Sequence, residues 1–162
     1  MKTMKNICLL FVLAICACCG TKPNKDSVEA AKAAVEVNGE VEKQGTVFLD
    51  LTMEQALEKA KAEGKYVLVN FHTKTCVPCK KMEKVVFPNP ECGEYVNKKF
   101  VPIMIDGEDD GVGTEFAKKY EIFIFPTYLI LSPEGFKEGE ILGAEFDLYK
   151  FLGMLKMIMH DI

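Results

Sequence analysis

Hydrophobic and polar positions follow two periods along the chain, and the places where the period changes mark out its elements. Residues 46–51 form a short β-like run, and Thr52 then opens a helical pattern in which Met53, Ala56, Leu57 and Ala60 share one face. Thr52 with Gln55 matches a capping box, and Gly64 ends the helix. Residues 66–71 are almost continuously apolar with β-branched members, as expected for a central strand covered on both faces; Asn70 is the exception. Residues 77–87 read as a helix with Met82, Val85 and Val86 inward, broken by the prolines of Phe87-Pro88-Asn89-Pro90. A second helix over 91–98 leads to a buried strand at 100–106, an acidic loop at 107–113 and a helix at 114–120. Residues 122–131 lead into a third strand with Pro126 at its start, 132–135 form a turn, and 137–142 pair back as a hairpin. The last helix, 146–158, turns Leu148, Phe151, Leu152, Leu155 and Ile158 inward. The order β-α-β-α-α-β-α-β-β-α mixes parallel crossovers with one hairpin. It predicts an α/β fold, a central mixed sheet flanked by helices on both faces.

The beginning of the chain has a different character. Residues 1–17 carry Lys2 and Lys5, no acid, and then an apolar run over 7–17, the layout of a secretory signal peptide too short to span a bilayer comfortably. The run ends in Ile15-Cys16-Ala17-Cys18-Cys19-Gly20, which resembles the lipobox of bacterial lipoproteins, where a small residue precedes the lipidated cysteine. Cys18 fits best because Ala17 precedes it. Cys19 is the other candidate, and an ordinary cysteine-rich signal peptide is the plainer reading. Residues 18–45 read as a tether with a short possible helix at 27–37, and 46–162 as the folded domain.

Composition narrows the partners. Of 162 residues, 20 are basic and 24 acidic; every basic one is lysine, dispersed among acids, so nucleic acid is excluded as the expected partner. Losing residues 1–17 takes away two lysines and no acid, leaving 18 basic and 24 acidic side chains and a net of −6. A basic patch therefore does not hold the protein to a membrane; the lipid would. The implied compartment is extracytoplasmic, in the bacterial cell envelope or periplasm, where disulfides persist.

Four of the seven cysteines lie in the leader or its processing site, which leaves Cys76, Cys79 and Cys92 for the fold. Three are too few for a disulfide framework, so Thr75-Cys76-Val77-Pro78-Cys79-Lys80 reads as a chemical site. A strand that delivers Cys76 to the first turn of a helix sets its sulfur among unpaired N–H groups, which favours the nucleophilic thiolate. Helical spacing brings Cys79 within reach to resolve what Cys76 captures. Cys92 occupies a helix position suited to a buried inert thiol, with a third redox partner as the alternative. His72, Lys74, Lys80 and Lys81 read as a solvated rim around the motif.

Cys76-Val77-Pro78-Cys79-Lys80 at a strand-to-helix junction, Phe125-Pro126-Thr127 before a strand, and Gly143 before the last helix occur together in thioredoxin-like proteins, and residues 46–160 resemble that family. The run 79–100 looks most like the domains related to the C-terminal domain of DsbD. The resemblance implies that Pro126 is cis and lies beside the cysteines, with Phe125, Val77 and Pro78 meeting a substrate strand. It implies no cofactor and no metal. Two positions depart from the pattern: thioredoxins usually carry tryptophan before the first cysteine and a buried aspartate six positions before it, where this chain has Thr75 and Asn70. Asn70 cannot accept the proton that Cys79 must lose. Glu83, four residues after Cys79 on the same helical face, matches a glutamate of the DsbD-like domains and is the candidate proton acceptor; its plainer reading is a solvated glutamate paired with Lys80 or Lys84.

The function implied is an extracytoplasmic thiol–disulfide oxidoreductase acting on protein disulfides. Because Val77-Pro78 includes no histidine to stabilise a thiolate, reduction is the expected direction, with a membrane thiol-reductant conductor recharging the pair. The alternatives are a copper(I)-binding module, with His72 as the one further ligand at hand, and a noncatalytic interaction protein.

Overall fold

A computed structural model describes residues 44–161 apart from Asp110. The leader at 1–17, Cys18 and its lipid, the helix at 27–37 and nearly all of the tether lie outside the described residues.

Among the described residues five helices and four strands follow one another as α1 (Met53–Glu63), β1 (Tyr66–His72), α2 (Val77–Val85), α3 (Pro90–Lys99), β2 (Phe100–Asp106), α4 (Val112–Lys119), β3 (Thr127–Leu131), β4 (Lys137–Leu142) and α5 (Leu148–Ile158). The strands form one mixed sheet in the order β2-β1-β3-β4. β1 pairs parallel with β2 and antiparallel with β3, and β3 and β4 make the hairpin. The expected α/β architecture is present, with helices on both faces. On one face Met53, Ala56 and Ala60 of α1 and Ala117 of α4 pack on Val67, Val69 and Phe71 of β1. Met82 of α2, Cys92 and Val96 of α3, and Phe151 and Leu155 of α5 cover Leu68, Tyr128 and Ile130 on the other. Both faces of β1 are thus apolar and buried, which is why its sequence runs on without alternation.

Local signals set the boundaries. The Thr52 hydroxyl accepts from Gln55 N and the Gln55 side chain accepts from Thr52 N, closing the capping box, and Gly64 ends α1 at a φ of 63°. Asn89 caps α3 and Asp147 caps α5.

Two expectations are corrected. The β-like run at 46–51 is not a strand: Leu49 makes a single parallel bridge to Ile103, with Leu49 N donating to Pro102 O. Val85 is exposed, because the buried face of α2 runs through Cys79 and Met82 to Val86 and Phe87 just beyond its end. The third strand begins at Thr127, directly after Pro126 as expected, and Phe123 and Ile124 before it face solvent.

Candidate functional site

The carboxyl end of β1 leads through residues 73–75 to Cys76, which caps α2. Its Sγ accepts from the Cys79 backbone N–H at 3.2 Å, at the positive end of the helix dipole. Pro78 falls in the first turn, where a missing N–H costs no helical hydrogen bond. Cys76 and Cys79 are joined by a disulfide with their Cα atoms 5.3 Å apart. Their exposures differ: Cys76 is half-buried, whereas Cys79 is 1% exposed. An incoming sulfur can reach the first cysteine and not the second.

The Phe125–Pro126 peptide is cis, as the resemblance implies. Pro126 is buried and its carbonyl accepts from Gly143 N at 2.8 Å, while Thr127 pairs with Phe71 at the end of β1 that feeds the cysteines. The proline loop and the disulfide therefore share one end of the sheet. Phe125 is half-buried, and its ring sits where a side chain at position 107 would project, which explains Gly107. Val77 is 74% exposed and Phe123 80%, so the loop and the helix start both present apolar surface. Lys74, Lys80 and Lys81 are exposed as expected; Lys74 approaches Asp106 at 3.9 Å and Lys81 lies over the Phe146 ring.

Glu83 is exposed and lines a cleft of about 420 Å³ with Gln44, Gly45, Thr46, Phe48, Phe87, Pro88 and Met104. Asn70 is buried, and its Oδ1 has no hydrogen-bond partner among the described residues; the same holds for the Tyr128 hydroxyl. Periodicity marks Asn70 as an oddity in the strand, whereas Tyr128 carries no such mark, because tyrosine suits a buried strand. The signal was its place two residues after Pro126.

Cys92 is buried and accepts from the Thr46 hydroxyl at 3.4 Å; burial pushes its pKa up, which keeps it a thiol at neutral pH. Among the described residues no group of three or more His, Cys, Asp or Glu is arranged to hold a metal ion. No described helix is long and apolar enough to cross a membrane.

A family model described as a thioredoxin-like domain matches residues 53–158. The thiol:disulfide interchange protein DsbD of Pseudomonas fluorescens is 30% identical over 131 residues, 80% of this chain and 21% of that protein. The chain thus spans about a fifth of the length of that relative. A solution structure of a candidate disulphide-isomerase from Bacteroides thetaiotaomicron is similar at 34% identity and a TM-score of 0.65, over 72% of this chain and 94% of that one. A thioredoxin from Thermus thermophilus is similar at 27% identity and a TM-score of 0.60, covering 66% and 83%.

Proposed function

The chain belongs to the thioredoxin-like domain family and carries a Cys76–Cys79 disulfide, the mark of a thiol–disulfide oxidoreductase, and on this premise we propose that it reduces protein disulfides outside the cytoplasm. The observation that carries the reading is the asymmetric pair: a half-buried Cys76 capping α2 and a buried Cys79 joined to it.

In the reduced protein, the Cys76 thiolate attacks one sulfur of a substrate disulfide. That bond breaks, a mixed disulfide forms, and the departing substrate thiolate takes up a proton. Cys79 then loses its proton and attacks Cys76 Sγ, releasing the second substrate thiolate and leaving Cys76 bonded to Cys79. The substrate has gained two electrons and two protons. Glu83, at the cleft rim four residues after Cys79, receives the Cys79 proton and passes it to water. Val77, Pro78 and Phe125, with the cis Pro126 at the same end of the sheet, form the surface on which a substrate strand lies.

Similarity to DsbD supports a membrane thiol-reductant conductor as the source of electrons, and the Val77-Pro78 dipeptide supports the reducing direction. Residues 1–17 and the lipobox-like stretch support export and a lipid on Cys18 in the bacterial cell envelope. Fatty-acid labelling that disappears in Cys18→Ser is the expected result for that anchor.

The decisive measurement is the reduction potential of the pair together with turnover of a small disulfide, in wild type and Cys79→Ser. Wild type is expected to turn over, and the variant to stop as a trapped mixed disulfide on Cys76. Absence of turnover combined with stoichiometric copper(I) binding would overturn the enzyme reading.

A further inference from the structure

The register of the sheet sets three side chains in a row beneath α2. Asn70 is the partner of Met104 on β2 and of Tyr128 on β3, and all three lie on the face that carries Leu68 and Ile130. Met104 at one end of the row lines the cleft that Glu83 also lines. Above the row, Cys79 and Met82 lie on the buried face of α2, and Met82 packs in the same cluster as Tyr128. The Tyr128 ring is fixed edge-on by Phe151 at 5.1 Å and Phe87 at 5.8 Å. Burial first, then the nearby Glu83 carboxylate, push the Tyr128 pKa up, so the hydroxyl keeps its proton across the neutral range.

Two buried polar atoms, Asn70 Oδ1 and the Tyr128 hydroxyl, thus belong to residues paired across the ladder, and neither has a partner among the described residues. Native interiors rarely leave such groups unpaired, and a buried water characteristically joins two to four of them. We propose that Asn70 and Tyr128 are positioning residues for the resolving step, holding a water that carries the Cys79 proton to Glu83. The inference rests on the oxidoreductase reading and deepens it. As Cys79 Sγ bonds to Cys76 Sγ, its proton passes through the water to the Glu83 carboxylate. The bond from Cys76 to the substrate sulfur breaks and the substrate leaves as a thiolate, protonated by solvent. Exposed Glu83 then returns its proton to bulk water. Asn70, unable to accept a proton itself, serves as a fixed acceptor for the water's hydrogen, with Tyr128 as the fixed donor to its oxygen.

The test uses the reduced full chain and oxidised glutathione, with formation and release of the Cys76–glutathione mixed disulfide followed separately by rapid quenching and mass measurement. Tyr128→Phe keeps the ring against Phe87 and Phe151 and removes only the hydroxyl. It is expected to slow release by about tenfold or more while formation proceeds at the wild-type rate. Adding Glu83→Gln is expected to slow release no further, since both groups serve one route. Asn70→Leu, which removes the acceptor and fills its space, is expected to reproduce the slow release. Release at the wild-type rate in Tyr128→Phe overturns the proposal, as does equal slowing of both steps or a multiplicative loss in the double variant. If wild type forms no mixed disulfide, the oxidoreductase reading itself falls and takes this one with it.

Discussion

Cys76, Cys79 and Cys92 have the same side chain and three different surroundings. Cys76 caps a helix and is open to one side, Cys79 is sealed beneath it, and Cys92 is buried on the α3–α5 side of the core, where its sulfur accepts from the Thr46 hydroxyl. A thiol reagent applied to the folded, reduced protein at neutral pH is expected to modify Cys76 first, and Cys92 only after unfolding. Burial raises the Cys92 pKa, so its thiolate fraction at neutral pH is below that of a free cysteine. Peptide mapping by mass measurement reads this directly, and fast labelling of Cys92 would reopen a redox part for it. Residue identity made the first two assignments legible in the sequence, since strand, proline and helix follow one another around the motif. The partnerless pair of Asn70 and Tyr128 was not legible. It depends on which positions of β1 and β3 stand opposite each other, and a strand's own pattern says which face is buried but not what it meets across the ladder.

Most elements were readable because several signals agreed at each end, as at α1, with a closed capping box at its start and a left-handed glycine at its stop. The failure at 46–51 has a physical cause that was also in the sequence. Pro102 faces that segment, accepting from Leu49 N, yet has no N–H to donate in return, so the ladder ends after one bridge. At 122–126 the chain bends into the third strand, and the Thr127 hydroxyl donates to Ile124 O across the bend. The helices rest on their caps as well as on their apolar faces. Asp147 accepts from both Tyr149 N and Lys150 N at the start of α5, whose Phe151 and Leu155 lie in the core. Asp147→Ala is expected to lower stability by about 1 kcal/mol, measured by chemical denaturation, with the redox chemistry unaltered. A loss well above that would mean that Asp147 holds more than the helix end.

Across the molecule, ion pairs act both between distant segments and within one helix end. Asp161, near the carboxyl terminus, accepts from Tyr95 and Lys99 of α3, and Lys99 holds its carboxyl below the usual range. Glu63 at the end of α1 is held by Lys59 and Lys65 at about 2, against an ordinary 4.5. Both groups have a folded pKa below the unfolded one, so their stabilisation is complete above about pH 4.5 and is lost as pH falls toward 2. Thermal midpoints should therefore be nearly level from pH 7 to 5 on account of these groups and decline below that. Asp161→Asn should flatten part of the decline; an unchanged acid limb would assign it to other carboxylates. The hairpin strand β4 also governs association between copies. It is the last strand on its side of the sheet, and it carries Lys137, Glu138 and Glu140 along with an irregular register against Ile130 and Leu131. Such an edge is a poor template for a neighbouring copy, because pairing would bring charges together and meet a kinked ladder. At the opposite border β2 has Pro102 and the strap at residues 46–51. The sheet thus resists fibre-like stacking at both margins.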